Sequence, residues 1–512
     1  MRKTIQLTLK PEAYFDKDAL EKLIAQESGI ERKYLSYMLS KESLDARKTP
    51  VYHLDIIVSS NNDLPKIIPE PFLNVSNSMQ IIVVGAGPCG LIAALKLIQK
   101  GLKPIIVERG SQVEVRKQDT ANIVRNGSIN EESNFCFGEG GAGTFSDGKL
   151  FTRSNKKGNV EEVLRLLVHF GAKKEILFQT HPHIGTDVLS RIIKNIREQI
   201  LKSGGEYRFN TKVANFIVKD GEVLGVTTSD GEDIIASKVI LATGHSAKDI
   251  YQLFYDNKWM IEPKPFAIGV RVEHPQELIN EIQYHNTNYS PLLPPAEYSL
   301  TAQNNDRGVF SFCMCPGGVV VPTVDKENIM VVNGMSNSSR SGKFANSAIV
   351  VTVNERDARE FKEFGALSLL KLQQKWEHIM HFNKCICPAQ RLDDFVAGRQ
   401  SATLAESSYK PGLVNMKMED RLPKFVSDSL RVGFQIFNRK MRGFISNQAN
   451  IIGLESRTSA PVRIVRDKNS MQHPQLKNLY PCGEGAGYAG GITSSAIDGI
   501  NVAKRIAEEL GV

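Results

Sequence analysis

Apolar and polar positions change period several times along the chain, and each change marks an element. In "TIQLTL" (residues 4–9) they alternate as in a half-buried strand. In "DKDALEKLIAQE" (16–27) the apolar residues return at helical spacing behind Asp16 or Asp18, either of which can cap a helix, and in "TPVYHLDIIV" (49–58) a strand resumes. These segments predict a small α+β module over residues 1–58, and the polar, proline-bearing stretch 59–78 reads as a linker. From Met79 the pattern tightens: "MQIIVVGAGPCGLIAALKLIQKGLKPIIVERG" (79–110) runs strand, glycine turn, helix and strand with almost no spare residue. Residues 210–247 read as a strand carrying Val213, short strands turned at Asp220-Gly221 and Asp230-Gly231, and the buried strand "KVILATG" (238–244). Near the C-terminus "LKNLYPC" (476–482) predicts a strand and residues 493–510 a helix.

The spacing Gly-x-Gly-x-x-Gly occurs three times: at Gly85, Gly87 and Gly90, at Gly138, Gly140 and Gly143, and at Gly485, Gly487 and Gly490. Only the first stands inside a full strand-turn-helix-strand unit. There Gly85 permits the tight turn, Gly87 lets a pyrophosphate approach the backbone, and Gly90 lets the helix pack closely on the sheet. Glu108, ending the second strand, can accept from ribose hydroxyls, and an acid at that place favours a free 2′-hydroxyl over a 2′-phosphate. Before Gly138, "SINEESNFCF" is no buried strand, and after Gly143 "TFSDGKLF" cannot open a long helix. After Gly491 too little chain follows for another βαβ unit.

Composition narrows the class. With 41% hydrophobic and 23% charged residues over 512 positions, the chain can bury a full core. Its apolar runs are broken long before the roughly 18 residues that a membrane span needs, and no cleavable leader is expected. Seven cysteines without framework spacing predict free thiols in a reducing compartment, the cytoplasm. The net charge of +8 comes from scattered Lys and Arg, which suits an anionic ligand better than a nucleic-acid track.

Taken in order, the first dinucleotide unit, the meander closing on "ATG" and the C-terminal strand-Gly-Glu-glycine-helix element resemble flavoproteins of the glutathione-reductase-type FAD fold. More narrowly, "GEGGAGTFSDGKLFTR" (138–153), "PHIGTD" (182–187), "VILATGHSA" (239–247), "FCMCPGG" (312–318) and "SRTSAPVRI" (456–464) resemble the set of a bacterial family of uncharacterised FAD-dependent dehydrogenases, over nearly the whole chain. The resemblance implies FAD as cofactor, with Gly85, Gly87, Pro88 and Gly90 at its pyrophosphate and Glu108 and Arg109 as the "ER" pair. It implies that Gly140, Gly141, Gly143, Thr144 and Ser146 run under the pyrophosphate towards the isoalloxazine, that Val213 makes a backbone contact to adenine, and that Ala242, Thr243 and Gly244 also bind the cofactor. Gly483 and Glu484 then meet the ribityl or pyrophosphate part, and Gly490, Gly491 and Ile492 face the flavin N1/O2 edge. A helix N-terminus there suits the negative charge of reduced flavin.

Beyond the cofactor, a disulfide relay needs two cysteines in the glycine loop; only Cys136 stands nearby and Cys89 lies inside the first turn, so no relay of that kind is expected. The pairs Cys313/Cys315 and Cys385/Cys387 read as buried small residues sharing a strand face rather than as metal ligands, with Cys313 and Cys315 placed where they can line a substrate pocket. His183 precedes a helix that Thr186 or Asp187 can cap, and reads either as a packing histidine or as a proton donor at the flavin. Arg271 and Glu273 share a strand face with His274 at its end: a surface ion pair, or an anion-binding Arg271. Lys149 meets flavin N5, a phosphate or water.

The expected architecture is α/β: a Rossmann-like FAD/NAD(P)-binding domain from residues 79–265 and 470–512, an inserted mixed α/β substrate domain over 266–469, and the N-terminal α+β module with its linker over 1–78. The active site is expected at the domain junction. The expected function is an FAD-dependent oxidoreductase moving hydride between flavin N5 and an unidentified small substrate, anions among the candidates, with NAD(P)H as a transient reductant because no second complete dinucleotide unit exists. The alternatives are a flavin-dependent RNA-modifying enzyme and a flavin-loaded redox sensor whose N-terminal module docks a partner.

Overall fold

The computed structural model describes residues 2–65, 68–152 and 158–512. The N-terminal alternation folds into β1 (Arg2–Leu9), α1 (Lys17–Ser28), β2 (Ser36–Asp45) and β3 (Val51–Ser59). Asp16 is the cap of α1, accepting from the N–H groups of Asp18 and Ala19. β2 is not announced by any alternation; it pairs with the second edge of β3 through a register shift between Leu39 and Lys41, giving the order β1-β3-β2. The apolar face of the module, with Ile5, Leu20, Ile24, Leu54 and Ile56, is continuous with a core that also contains Tyr284 and Leu293.

Residues 79–110 form β4 (Gln80–Val84), α2 (Pro88–Gln99) and β5 (Lys103–Val107), followed by α3 (Val113–Asn126), the glycine loop, α4 (Thr186–Lys202) and β6 (Glu206–Arg208). The meander is β7 (Val213–Lys219), β8 (Glu222–Thr228) and β9 (Asp233–Ile235), closing on β10 (Lys238–Leu241). Its first turn holds Asp220 and Gly221 at φ 52 and 75, the positive pair that a tight hairpin of this hand requires. β11 (Ile261–Pro263) leads into β12 (Phe266–Pro275), and β13 (Thr301–Asn304), β14 (Arg307–Pro322), β15 (Val332–Met335) and β16 (Phe344–Val353) follow. The chain continues through α5 (Ser368–Ile379), β17 (Cys387–Arg391), β18 (Leu413–Asn415), β19 (Asn450–Glu455) and β20 (Val462–Ile464) to β21 (Leu479–Pro481) and α6 (Ile492–Leu510).

Two sheets dominate. Five parallel strands run in the order β21-β10-β4-β5-β6, so the C-terminal strand completes the sheet begun at residue 80. The other sheet runs β13-β14-β16-β12-β19-β17-β18, with β15 added to β14. The two connections between them, β11 and β20, pair antiparallel as a ribbon. Helix α6 lies tightly on α2: a Cβ on Gly499 would sit 2.4 Å from the Cys89 carbonyl oxygen.

Candidate functional site

The three glycine segments meet. A Cβ on Gly85 would lie 2.4 Å from the Ala242 carbonyl oxygen and 3.2 Å from Thr243 Cα, and one on Gly485 2.3 Å from the Gly244 oxygen. A Cβ on Gly141, whose φ is 64, would lie 3.0 Å from Gly87 Cα, and one on Gly143 would lie 3.1 Å from the Ile492 side chain and 3.7 Å from Pro88. Helices α2 and α6 both begin here, behind Gly87 and Gly491. Their first-turn N–H groups have no intrahelical partner, and two positive dipole ends converge on one place. In front of Gly244, Gly490 and Gly491 no atom stands within 4 Å of where a Cβ would be. A glycine-lined cradle with open space and two helix N-termini fits the diphosphate and the flavin edge of FAD.

Buried charge shapes that cradle. The Glu108 carboxylate accepts from the N–H groups of Ala86 (2.8 Å), Gly110 (2.9 Å) and Gly138 (2.9 Å), tying the first turn to the glycine loop. Of its roughly four lone-pair sites, one is left for a ribose hydroxyl. Val213 opens β7 just beyond Thr211, whose N–H donates to the Glu108 carbonyl (2.9 Å). Arg109 is committed elsewhere: it pairs with Glu132 and Asp249 and stacks on Phe137 at 4.4 Å. Thr144 also turns inward, its hydroxyl set between Arg116 and the Glu139 carbonyl, and Ser146 closes the loop by donating to the Gly143 carbonyl (2.7 Å) and accepting from the Gly148 N–H (3.0 Å). These side chains tie the loop together from within. Gly140 donates its N–H to the Ala86 carbonyl (2.8 Å), and Gly490 donates to Ser494 Oγ (3.1 Å). Gly483 donates to the Asp498 carboxylate (2.8 Å).

Arg116, which sits in an ordinary-looking charged helix, organises the loop. Fully buried, its guanidinium donates to the carbonyls of Asn134, Phe135, Gly138, Glu139 and Gly141. Burial lowers it to about 10, so it remains a cation at neutral pH. Glu139 is raised to about 7 by burial, against the opposing pull of the Val113 N–H and Arg197. Glu484 rises to about 7 for the same reason, with Lys264 and the Gly491 N–H offsetting it in part.

On the far side of the glycine loop a second group of residues gathers, from both sheets. Lys149 Nζ donates to Asp147 (2.6 Å) and to the Met314 carbonyl, and Asp147 accepts from Arg340 Nε (3.0 Å). These two cations hold the Asp147 carboxyl down at about 2 although burial opposes them. Cys313 is the exposed cysteine here, at φ 46, where the pairing of β14 with β16 shifts register between Phe312 and Cys315. The shift breaks the alternation, so Cys313 and Cys315 do not share a face, and the expectation of a buried Cys313 is corrected. Cys315, Cys385 and Cys387 are buried.

His183 lies 3.3 Å, through Nε2, from the Ser338 carbonyl, and burial together with Arg340 lowers it to about 4. Of the two readings for His183, this burial favours the packing one. His181, two residues earlier in the same "HPH", is shifted the other way: Glu297 meets its Nδ1 at 2.7 Å and raises its pKa. Neither Thr186 nor Asp187 caps α4; Thr186 donates to the Thr144 carbonyl (2.8 Å) and Asp187 accepts from the N–H (2.7 Å) and hydroxyl (2.8 Å) of Ser338. Arg271 is not on the surface and does not pair with Glu273. It is fully buried on central strand β12, bonded to Glu455 (3.0 Å), Asn346 (2.7 Å), Asn333 (3.0 Å) and the Cys313 carbonyl (3.2 Å), while Glu273 accepts from Ser408. Arg271 thus ties β12 to its neighbouring strands through bonds to protein groups. His274 is buried too, set against the Phe444 carbonyl at 2.8 Å.

Among the described residues, no three His, Cys, Asp or Glu side chains are grouped to hold a metal, and no helix is long and apolar enough to cross a membrane. Residues 79–249 match the family described as pyridine nucleotide-disulphide oxidoreductase, and residues 265–458 match the one described as FAD-dependent protein, C-terminal domain-like. Residues 1–58 match a domain of unknown function. An uncharacterised protein of Clostridium beijerinckii is 39% identical over 520 residues, covering 96% of each chain. The chain belongs to a family of uncharacterised FAD-dependent proteins. FAD is its cofactor, and its family is one of FAD-dependent oxidoreductases. Protein FixC of Escherichia coli is 25% identical over 202 residues, 39% of this chain and 44% of that one. Among solved structures, tetracycline destructase Tet(51) aligns at a TM-score of 0.34 with 13% identity, over 85% of this chain and 82% of that one. L-proline dehydrogenase from P. horikoshii aligns at 0.35 with 12% identity, over 86% and 95%.

Proposed function

We propose that this FAD-dependent oxidoreductase moves hydride between the flavin and a small substrate held at the junction of the two sheets. The observation that carries the reading is the convergence of Lys149, Asp147 and His183 from the end of the glycine loop and its neighbouring strip with Cys313, Arg340 and Glu297 from the other sheet's side. Bound in the cradle, FAD supplies the two-electron chemistry. The chain's own groups orient and balance charge: Lys149 and Arg340 are fixed by Asp147, His183 presents a hydrogen-bonding ring whose burial disfavours charge, and Glu297 also bonds His181 and raises its pKa. Because Lys149 and Arg340 are already matched by Asp147 and Glu297, the pocket favours a substrate of low net charge over a polyanion.

NAD(P)H fits this scheme as a transient occupant of the same cleft. The test is anaerobic addition of NADH and then NADPH to the FAD-loaded protein while the visible flavin band is followed. Rapid bleaching by either supports a nicotinamide-linked reductase, and an unchanged band leaves the organic substrate as electron donor. A protein that retains no FAD after loading sinks the proposal.

A further inference from the structure

Residues 178–185 form a strip with main-chain partners at both ends. At the first end, Glu42 of β2 donates its N–H to the Phe178 carbonyl (2.7 Å), and its carbonyl accepts from the N–H (2.9 Å) and the hydroxyl (2.6 Å) of Thr180. Glu42 and Gln179 thus make a parallel bridge, and the strip adds itself to an edge of the N-terminal sheet. Tyr14 braces the clip: its hydroxyl donates to the Glu42 carboxylate (2.6 Å), and its ring stacks on Tyr52 at 4.4 Å. At the other end the strip pairs antiparallel with residues 147–150. Leu150 donates to the Pro182 carbonyl (2.9 Å), Ile184 to that of Gly148 (3.1 Å) and Gly185 to that of Asp147 (3.1 Å), around a bridge between Lys149 and His183. His181 and its partner Glu297 stand between the two clips.

We propose that the N-terminal module is a built-in clamp: the edge of β2 templates residues 178–180, and through that strip it holds His181 and the 147–150 segment in register at the substrate site. A short segment with no regular strand of its own has little to keep it extended, and an ordered sheet edge supplies the missing partners. Thr180 and Glu42 are positioning residues, since neither faces the cradle. The catalytic consequence rests on the reading of the junction given above; the clamp itself does not.

The test uses the FAD-loaded full chain and the variant Thr180→Val, which removes the hydroxyl bond to Glu42 and leaves the module's apolar face intact, with Thr180→Ser as the conservative control. Loss of one such bond speeds local opening by about tenfold. In T180V, hydrogen exchange should therefore quicken by about that factor at 147–150 and 178–185, and stay unchanged at 85–90 and 238–244. The His181 ring, followed by NMR with 13C-labelled histidine and assigned with H181Q, should titrate closer to its ordinary value in T180V and keep its raised value in T180S. If T180V loads poorly, Tyr14→Phe carries the same readouts. Faster exchange confined to residues 1–58 and 178–180, with 147–150 and the His181 titration unmoved, overturns the clamp. Should both readouts move while flavin bleaching by NADH or NADPH keeps its wild-type rate, the clamp stands and the placement of the substrate site falls.

Discussion

Replacing Arg116 by lysine tests what shapes the cofactor cradle. The guanidinium serves five carbonyls: Asn134 at 2.8 Å, Phe135 at 3.0 Å, Gly138 at 3.2 Å, and Glu139 and Gly141 both at 2.8 Å. A lysine ammonium keeps the charge but has three donors on one nitrogen, so at least two of these five bonds are lost even with ideal placement. Each bond from a charged donor is worth about 1.5–3 kcal/mol, so R116K should lose about 3–6 kcal/mol. That is a large part of the ~5–15 kcal/mol that holds an ordinary domain together. The loss is local to the loop that packs on Gly87 and Ile492, so FAD retention should suffer with it. Urea unfolding of the FAD-free protein, followed by circular dichroism, measures the first effect. The ratio of flavin to protein absorbance after desalting measures the second. An R116K protein with the wild-type midpoint and a full complement of FAD would refute the organising role.

Three further outcomes follow from the same geometry. Gly141→Ala places a methyl 3.0 Å from Gly87 Cα at a φ of 64, and should weaken FAD binding by about tenfold or more with little change in helix content, as read by flavin fluorescence titration. His274, neutral in the fold with a pKa of about 4, contributes stability that is present above 6.5 and lost as pH falls towards 4, because the unfolded chain takes up the proton first. Relative to H274Q, the wild type should therefore lose about 2 kcal/mol between pH 7.5 and 5, and an offset independent of pH would contradict the assignment. Glu484, raised to about 7, works in the opposite sense: the fold keeps a proton that the unfolded chain releases above 4.5, so stability falls as pH rises through that window. In FAD-free protein, E484Q should gain about 3 kcal/mol on the wild type between pH 4 and 8, visible as a rising difference in thermal midpoint.

The β4–α2–β5 unit is legible in the sequence because its turn, helix and strands are local and every glycine has a local reason. The identity of the other two glycine segments as parts of one cradle needs long-range information, and only a resemblance to a family supplies it. Arg271 shows the limit of local reading. Glu273, two residues away on the same face, is the obvious partner, yet the structure pairs Arg271 with Glu455, 184 positions along, because β12 lies between β16 and β19 in the middle of a sheet. Likewise "HPH" offers two histidines of equal standing, and only long-range contacts set them apart: Glu297, 116 positions away, raises the pKa of His181, while burial lowers that of His183. Cys313 escapes because a register shift leaves no mark in composition, and Arg116 because the carbonyls it gathers carry no side-chain signature.

The meeting of the three glycine segments sets an order of events during synthesis. Cys89 and Cys482, whose sulfur atoms lie 3.1 Å apart, are separated by 393 positions, an interval that holds every strand of the parallel sheet except β4. During synthesis β4, α2 and β5 can assemble early, but β10 keeps one open edge until β21 arrives, and the cradle lacks its second helix N-terminus until residues beyond Gly491 have emerged. Flavin capture therefore waits for the helix that begins behind Gly491. Before that step, the bare edge of β10 is the place where a nascent chain is most exposed to wrong strand partners, and where the supply of FAD decides how many chains mature.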